Sequence, residues 1–288
     1  MSELALPLTQ SEAFERTCKA LDLPVRRFET RDGTCLVQSR KLPLIGPFHL
    51  LSRGPSGGSA EEVMSLLREV RRSLSGPLVV NAPANVGRLG GLQIARGAEL
   101  AMIDLCEADA MRARLNQKWR NQLKKAERAP MTIVDQPLDA TRHNWFFQAE
   151  AAQQRARKYK SYPAAFLLAY AKANPGQARL YTAAENGEPV AAMLILKHGR
   201  AATYQAGVTT ELGRKYCAHN GLLWKAMSDL SRRGFETLDL GRSDLNPGLA
   251  RFKLGSGARI EQLGGSLLFH SWFAPRSETA KMRASSRA

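Results

Sequence analysis

The residues best suited to chemistry gather near the C-terminal end, between positions 236 and 257. Residues 237–240 read as a short buried strand that stops at Gly241 and opens into a polar loop holding Arg242, Ser243 and Asp244. A Pro247-Gly248 break follows, then a short turn with Arg251, Phe252 and Lys253. Asp239, Arg242, Arg251 and Lys253 lie close together just past a strand end. Loops in that position carry chemistry on a rigid base, so the segment is expected to be a binding edge. The competing reading is a solvated loop between two strands. Arg242 and Arg251 are suited to holding phosphate, as are Arg120 and Lys124 on a basic helix further back.

Other chemistries find no support. Cys18, Cys35, Cys106 and Cys217 are scattered singly. No Cys-x-x-Cys pair or ligand-spaced histidine accompanies them, so neither a zinc site nor a disulfide framework is expected. Cys217 lies close to His219, but both read as ordinary helix residues. No Ser-His-Asp or Cys-His arrangement is legible, and no metal is expected.

The elements that must position the edge alternate along the chain. In the first half, a helix over residues 11–21 carries Thr9 and Glu12 at capping-box spacing. Strands over 25–29 and 34–40 flank the Asp32-Gly33 turn, a hairpin signal. Residues 44–51 are extended. Ser59 and Glu62 cap a helix with apolar positions Val63, Leu66, Leu67 and Val70. Residues 78–81 and 93–105 are strand-like, and the glycine-rich stretch 87–91 between them lacks the dinucleotide-binding pattern. Residues 109–128 read as one helix, with Met111, Leu115, Trp119, Leu123 and Ala126 as its apolar stripe. Arg120, Lys124 and Arg128 line a second face and Arg114, Lys118 and Lys125 a third. Charged helix faces normally mix signs, and here the acidic partners are missing, which favours an anionic ligand over a merely solvated face.

The second half repeats the alternation. Helices cover 144–160 and 164–173. Strands cover 179–184, 190–197 and 202–206, the last bearing Tyr204 and Gln205. A helix over 216–233 ends at Gly234, as a C-terminal glycine should. The strand at 237–240 and one over 259–269 close the pattern, and residues 277–288 read as a disordered tail.

Composition bounds the partners. The chain of 288 residues is 44% hydrophobic, with 42 Lys and Arg against 26 Asp and Glu, a net charge of +16. Such an excess implies an anionic partner: nucleic acid, anionic lipid, or a phosphate-rich small molecule such as coenzyme A. The N-terminus has no secretory pattern, and the longest apolar run, 190–196, is far short of a bilayer span. The expectation is a soluble, cytoplasmic protein able to touch the anionic inner face of a membrane. The oligomeric state is left open.

The order of elements from residue 139 to 273 resembles that of the GNAT acyltransferase superfamily. The segment QKWRNQLKKA, Gln117 to Ala126, is similar to the basic helix that precedes the second GNAT unit in Fem-type transferases. ENGEPVA, Glu185 to Ala191, resembles their hairpin, and Leu240-Gly241-Arg242-Ser243 with Phe252-Lys253 resembles their closing motif. The resemblance implies an α+β fold of tandem GNAT-like units, each a mostly antiparallel central sheet flanked by helices. It places an N-terminal unit over 1–107, a basic linking helix over 108–130 and the acyltransferase unit over 131–276. It also implies transfer of an acetyl or aminoacyl group from acyl-CoA or aminoacyl-tRNA to an amine. That transfer serves cell-wall precursors in one branch of the family and exopolysaccharide production in another. The pyrophosphate loop of ordinary GNAT enzymes is not matched: residues 210–221 contain Gly213, Arg214 and Lys215 without its spacing.

Aminolysis of an ester or thioester needs a neutral amine, a stabilised oxyanion and aligned substrates. Alignment alone supplies about 7–11 kcal/mol. By the resemblance, Lys253 stabilises charge at the reacting carbonyl or a donor phosphate. Asp239, the sole acid of its strand, is the candidate for orienting or deprotonating the amine, against a structural role on backbone donors. Tyr204 is the candidate for donating to the oxyanion or lining the acceptor groove, against an ordinary half-buried strand tyrosine. Arg242, Ser243, Arg251, Arg120, Lys124 and Gln205 are the candidate substrate- and donor-binding residues. Two other classes compete: a non-catalytic nucleic-acid-binding protein and a degenerate transferase acting as an assembly factor.

Overall fold

A computed structural model describes residues 5–30, 33–43, 46–57, 59–83 and 91–269. The expected tail at 277–288, most of the glycine-rich stretch, Asp32 and Leu44 lie outside the described residues.

The chain opens with helix α1 (Glu12–Ala20), then strands β1 (Val25–Glu29), β2 (Gly33–Leu42), β3 (Gly46–Ser52) and β4 (Ser56–Gly57). Helix α2 (Ala60–Ser73) leads to strands β5 (Leu78–Pro83), β6 (Leu92–Ala95) and β7 (Glu99–Asp104). Helices α3 (Ala108–Arg114) and α4 (Gln117–Arg128), strand β8 (Thr132–Pro137), and helices α5 (Asn144–Arg157) and α6 (Ala164–Ala173) follow. Then come β9 (Ala178–Glu185), β10 (Glu188–His198), β11 (Ala201–Thr209), α7 (Glu211–Lys215), α8 (Ala218–Arg232), β12 (Thr237–Arg242), α9 (Pro247–Gly255) and β13 (Arg259–Phe269).

Two compact units result. One comprises residues 1–22 and 99–261, the other residues 23–98 and 262–288. This division differs from the boundaries expected at 107 and 130, for identifiable reasons. Helix α1 belongs with the larger unit because Phe14 packs on Phe166 of α6, ring centroids 5.5 Å apart. Asn174 fastens it further, donating to Ala13 O at 3.0 Å and accepting from Arg16 Nε at 2.9 Å. Strand β7 belongs there because it pairs with β12.

In the larger unit the strand order is β7-β12-β11-β10-β9-β8. Every pairing is antiparallel except β11 with β12. Strand β10 is apolar on both faces and buried throughout Val190–Leu196, as expected of a central strand covered on both sides. Helix α8 packs Leu222, Leu223, Ala226, Met227 and Leu230 into this core. In the smaller unit the order is β1-β2-β3-β5-β13, again antiparallel except for β3 with β5. Helix α2 lays Val63, Leu66, Leu67 and Val70 on it, with the Ser59–Glu62 capping box formed as expected.

Several local expectations change, among them the single strand expected over 93–105, which is β6 paired with β13 and β7 paired with β12. Ser11, not Thr9, caps α1, its side chain accepting from Phe14 N, while Thr9 lies in a 3-10 turn. The single helix expected over 109–128 is two, because the Asn116 side chain accepts from Trp119 N at 2.8 Å and starts a new helix. The turn expected at 251–253 is the last part of helix α9.

Candidate active site

The site begins with an opening in the sheet of the larger unit. β11 and β12 pair only where Ala201, Ala202 and Thr203 stand opposite Thr237, Leu238 and Asp239. Past that point β11 continues along β10 through residues 204–209. β12 meanwhile stays with β7, with an irregularity between Asp239 and Arg242. The two strands therefore part like a V, with Asp239 at the fork.

Gly241 shapes that irregularity. It has φ of 73°, a left-handed conformation that costs glycine little. Its N–H donates to Asp239 Oδ1 at 2.6 Å. Asp239 is 6% exposed, so this bond satisfies part of a buried carboxylate.

Helix α9 supplies the cation. Asn246 caps it, Oδ1 accepting from Gly248 N and Leu249 N at 2.9 and 3.0 Å. Pro247 occupies the first turn, where a missing N–H costs nothing. The last turn then buries Lys253, 4% exposed, whose Nζ donates to Arg242 O at 2.7 Å. A Cβ on Gly241 would stand 3.8 Å from that Nζ, so the ammonium lies over the glycine. Burial pulls the Lys253 pKa down to about 8, against the opposing pull of the Asp239 and Asp244 carboxylates. Near neutrality this amine is a cation on the verge of giving up its proton, a state typical of functional groups.

The neighbouring loop is held by its own residues. Arg242 grips Asp244 through Nε and an NH2 group at 3.0 and 2.7 Å. That pairing raises the guanidinium pKa and lowers the carboxyl pKa. Ser243 is buried, with N and Oγ both donating to Glu99 O at 2.9 and 3.3 Å.

Arg251 is exposed, with Nε on Pro247 O at 3.3 Å. It lines a cavity of about 570 Å³ between α4, α8 and α9, with Lys118, Trp119, Asn220 and Phe252. Phe252 stands 6.1 Å from Trp119 and 6.3 Å from His219, ring centre to ring centre. Among the described residues, Trp119 Nε1 and Asn220 Nδ2 are buried donors without a partner and no carboxylate lines this cavity. Unpaired buried donors are rare, so the cavity suits a ligand rich in acceptor oxygens.

The basic helix divides its cations. Lys124, Lys125 and Arg128 line a different cavity of about 470 Å³ with Asn121 and Tyr216. Arg120 is half-buried, its Nε without a partner. Lys124 and Arg251 are thus in separate cavities.

On β11, the bare Gly207 leaves room for Tyr204, since a Cβ there would strike its hydroxyl. Burial pushes the Tyr204 phenol pKa well up, so it is a neutral hydroxyl. Gln205 donates to Ser161 Oγ at 2.9 Å. His219 lies between this strand and α9: its Nε2 is 3.0 Å from Val208 O, and its ring faces Phe252. Burial lowers its pKa, which favours the neutral ring.

The structure thus joins Lys253 to Asp239 and to the Arg242 carbonyl. It holds Arg242 and Ser243 in the loop framework and puts Tyr204 and Gln205 on the opposite strand. Sequence reasoning missed Trp119 and Asn220 as cavity walls, His219 as the contact with Phe252, and the buried Glu150 of α5. Only Glu150 left a signal: it falls four residues after Phe146, and these two are the buried residues of α5.

A family model for the acetyltransferase (GNAT) domain matches residues 111–254. The chain belongs to the GNAT acetyltransferase family and is an acyltransferase. Among solved structures, the crystal structure of FemX is similar at TM-score 0.77 and 12% identity, over 98% of this chain and 95% of that one. A C-terminal domain assigned to a lysylphosphatidylglycerol synthetase from Agrobacterium fabrum is similar at TM-score 0.60 and 14% identity, covering 96% and 92%. A tandem GNAT protein from the clavulanic acid biosynthesis pathway is similar at TM-score 0.50 and 11% identity, covering 85% and 80%. No curated protein matches the chain in sequence. The fold is therefore the tandem GNAT-like arrangement, of FemAB-like type.

Proposed function

We propose that the chain transfers an acyl group from a phosphorylated carrier to an amine, in cell-envelope or exopolysaccharide metabolism, and that the open V between β11 and β12 is where the transfer takes place. The observation that carries this reading is Lys253: a buried cation over Gly241 of β12, bonded to Arg242 O and supported by the Asp239 charge. In its protonated form it meets the negative charge that develops on the carbonyl oxygen as the amine attacks. One such donor is worth about 2.7–4 kcal/mol. Asp239 sustains the Lys253 charge and orients the amine. Tyr204, a neutral hydroxyl, donates to the substrate from the facing strand. Arg251 and Lys118 hold the carrier at the mouth of the larger cavity, and Lys124 and Arg120 extend that hold along α4.

Of the two carriers, aminoacyl-tRNA is favoured over acyl-CoA. The stretch where ordinary GNAT enzymes keep a pyrophosphate loop is here helix α7, with Gly213 pressed against Val190 O. The cations are spread along α4 rather than gathered in one loop, which suits an extended phosphate backbone. Similarity to a protein named as a lysylphosphatidylglycerol synthetase is consistent with an envelope role. The charge of +16 suits contact with an anionic membrane surface. No helix among the described residues is long and apolar enough to cross one.

Thermal shift against acetyl-CoA, longer acyl-CoAs and aminoacyl-tRNA tests the reading. The true donor raises the melting temperature with its concentration and supports transfer to an amine that Lys253→Ala slows by about 10²–10³-fold. A folded Lys253→Ala protein with full transfer activity overturns the assignment.

A further inference from the structure

Among the buried ionisable groups that the mechanism above leaves unused is a carboxylate without an ion-pair partner among the described residues. Glu150 of α5 is 5% exposed. Its carboxylate accepts from the Tyr159 hydroxyl at 2.9 and 3.0 Å, Gln153 Nε2 at 3.3 Å and Gln154 Nε2 at 3.2 Å. All three donors are neutral, and no Lys, Arg or His among the described residues forms an ion pair with it. Arg157, exposed on the same helix, acts on it only at a distance. The other buried carboxylates of this unit are treated differently. Asp229 holds Lys225 at 2.8 Å and also Arg232, and Asp239 accepts from Gly241 N at 2.6 Å with its charge acting on the buried Lys253. An isolated buried anion is expensive unless a cation compensates it.

The cluster around Glu150 reaches the open strand. Gln153 Nε2 also donates to Gly207 O of β11 at 3.0 Å. Tyr204, on the same strand, feels the Glu150 charge. The next carbonyl, Val208 O, meets His219, whose ring faces Phe252 beside Lys253. On the outer side the cover is thin: Tyr159 is 36% exposed and follows Lys158, which ends α5 in a left-handed conformation.

Resting on the acyl-transfer reading, we propose that Glu150, framed by Tyr159 and Gln153, is the recognition site for a primary ammonium group of the substrates. That group is either the α-ammonium of an aminoacyl donor or the acceptor amine before it loses its proton. Glu150 is a specificity-determining residue here; Tyr159 and Gln153 position it. The neutral ring holds the carboxylate in place without using up its charge, and the ligand's ammonium completes the pair.

The titration of the carboxyl is consistent with this. Burial raises its pKa, with the Tyr159, Gln154 and Gln153 hydrogen bonds and Arg157 opposing. A raised carboxyl contributes stability below its unfolded value and loses it as pH rises through the folded one. Ionising this carboxyl therefore works against the fold, and removing the charge should not weaken it.

The test uses the full chain with two small probes, L-alaninamide and its N-acetyl form, read by thermal shift and by NMR titration at pH 8. The wild type should bind alaninamide and not the acetylated, uncharged probe. Glu150→Gln should bind alaninamide at least tenfold more weakly while melting no lower than the wild type in the absence of probe. Tyr159→Phe, which keeps the ring of Tyr159 but loses its bond, should fall between them. Equal binding by wild type and Glu150→Gln, no binding by the wild type, or a lower melting temperature for Glu150→Gln each overturns the proposal. Failure of the transfer reading shows separately, as alaninamide binding without transfer from any donor. Two further arms identify the source. Lost preference of Glu150→Gln for aminoacyl-tRNA over N-acetylaminoacyl-tRNA assigns the donor's ammonium. Unchanged donor preference with a raised KM for the acceptor assigns the acceptor.

Discussion

The two units of this chain share a plan and differ in what they bury. Each has a mostly antiparallel sheet with one parallel pair. In the smaller unit that pair, β3 with β5, stays joined from His49 through Ser52, the last residue of β3. In the larger unit the pair β11 with β12 ends at Thr203, and β11 runs on to Thr209 unpaired on that side. The cores follow suit. Among the described residues, the one buried polar side chain of the smaller unit is His49, held by Ser39 Oγ and Ser75 O at 2.8 Å each. The larger unit buries Glu150, Asp229, Asp239 and Lys253. A sheet that stays closed can be apolar throughout; one that opens exposes backbone and admits charge. The proposed chemistry is assigned to the open pair.

Substitutions at four positions can break or sharpen this contrast. The largest effect expected is on stability, from Leu66→Ala in the smaller unit's core. Loss of a fully buried leucine should cost about 2–5 kcal/mol by denaturant melts, with kcat unchanged; a changed kcat would give the smaller unit a part in the chemistry. Next, Lys253→Ala should slow transfer by about 10²–10³-fold at saturating substrates. The lysine has a second signature. Its folded pKa, about 8, lies below the roughly 10.4 of an unfolded lysine. The unfolded chain therefore binds more protons between these values, and stability should rise from pH 8 toward pH 10. Lys253→Met should flatten that rise, and a persisting rise would show that Lys253 is not its source. Third, Asp239→Asn keeps an acceptor for Gly241 N–H but removes the carboxylate that supports the Lys253 charge. The alkaline limb of the rate profile, expected near pH 8 in the wild type, should move to lower pH; an unmoved limb would separate Asp239 from Lys253. Smallest, Arg242→Ala removes an exposed ion pair and should change stability by less than about 1 kcal/mol. A larger loss would make the loop's own pairing a determinant of the site.

Much of the fold was legible because local signals agreed with packing. The capping box at Ser59 and Glu62, the β1–β2 hairpin and helix α6 all follow from short-range chemistry. The break before α4 was hidden because Met111, Leu115, Trp119 and Leu123 keep an unbroken apolar stripe across it, so periodicity passes over a cap that one asparagine side chain makes. Helix α9 was hidden by its own ends: Asn246 and Pro247 start it and Gly255 ends it, and such residues in nine positions resemble a turn. For the proposed site, being the sole acid of its strand singled out Asp239, and family motif singled out Lys253. That the strands part beside them depends on pairings far apart in sequence and leaves no local trace. Glu150 was passed over because a glutamate in a polar helix is ordinarily solvated; only its register with Phe146 marks it.

The most direct test of the central claim is a crystal structure of the chain with a non-transferable donor analogue, either a ketone analogue of acyl-CoA or an amide-linked aminoacyl adenosine. The account predicts its carbonyl oxygen within about 3.2 Å of Lys253 Nζ, between β12 and residues 204–209 of β11. A carbonyl bound away from Lys253, or beside the closed β3–β5 pair, would contradict it.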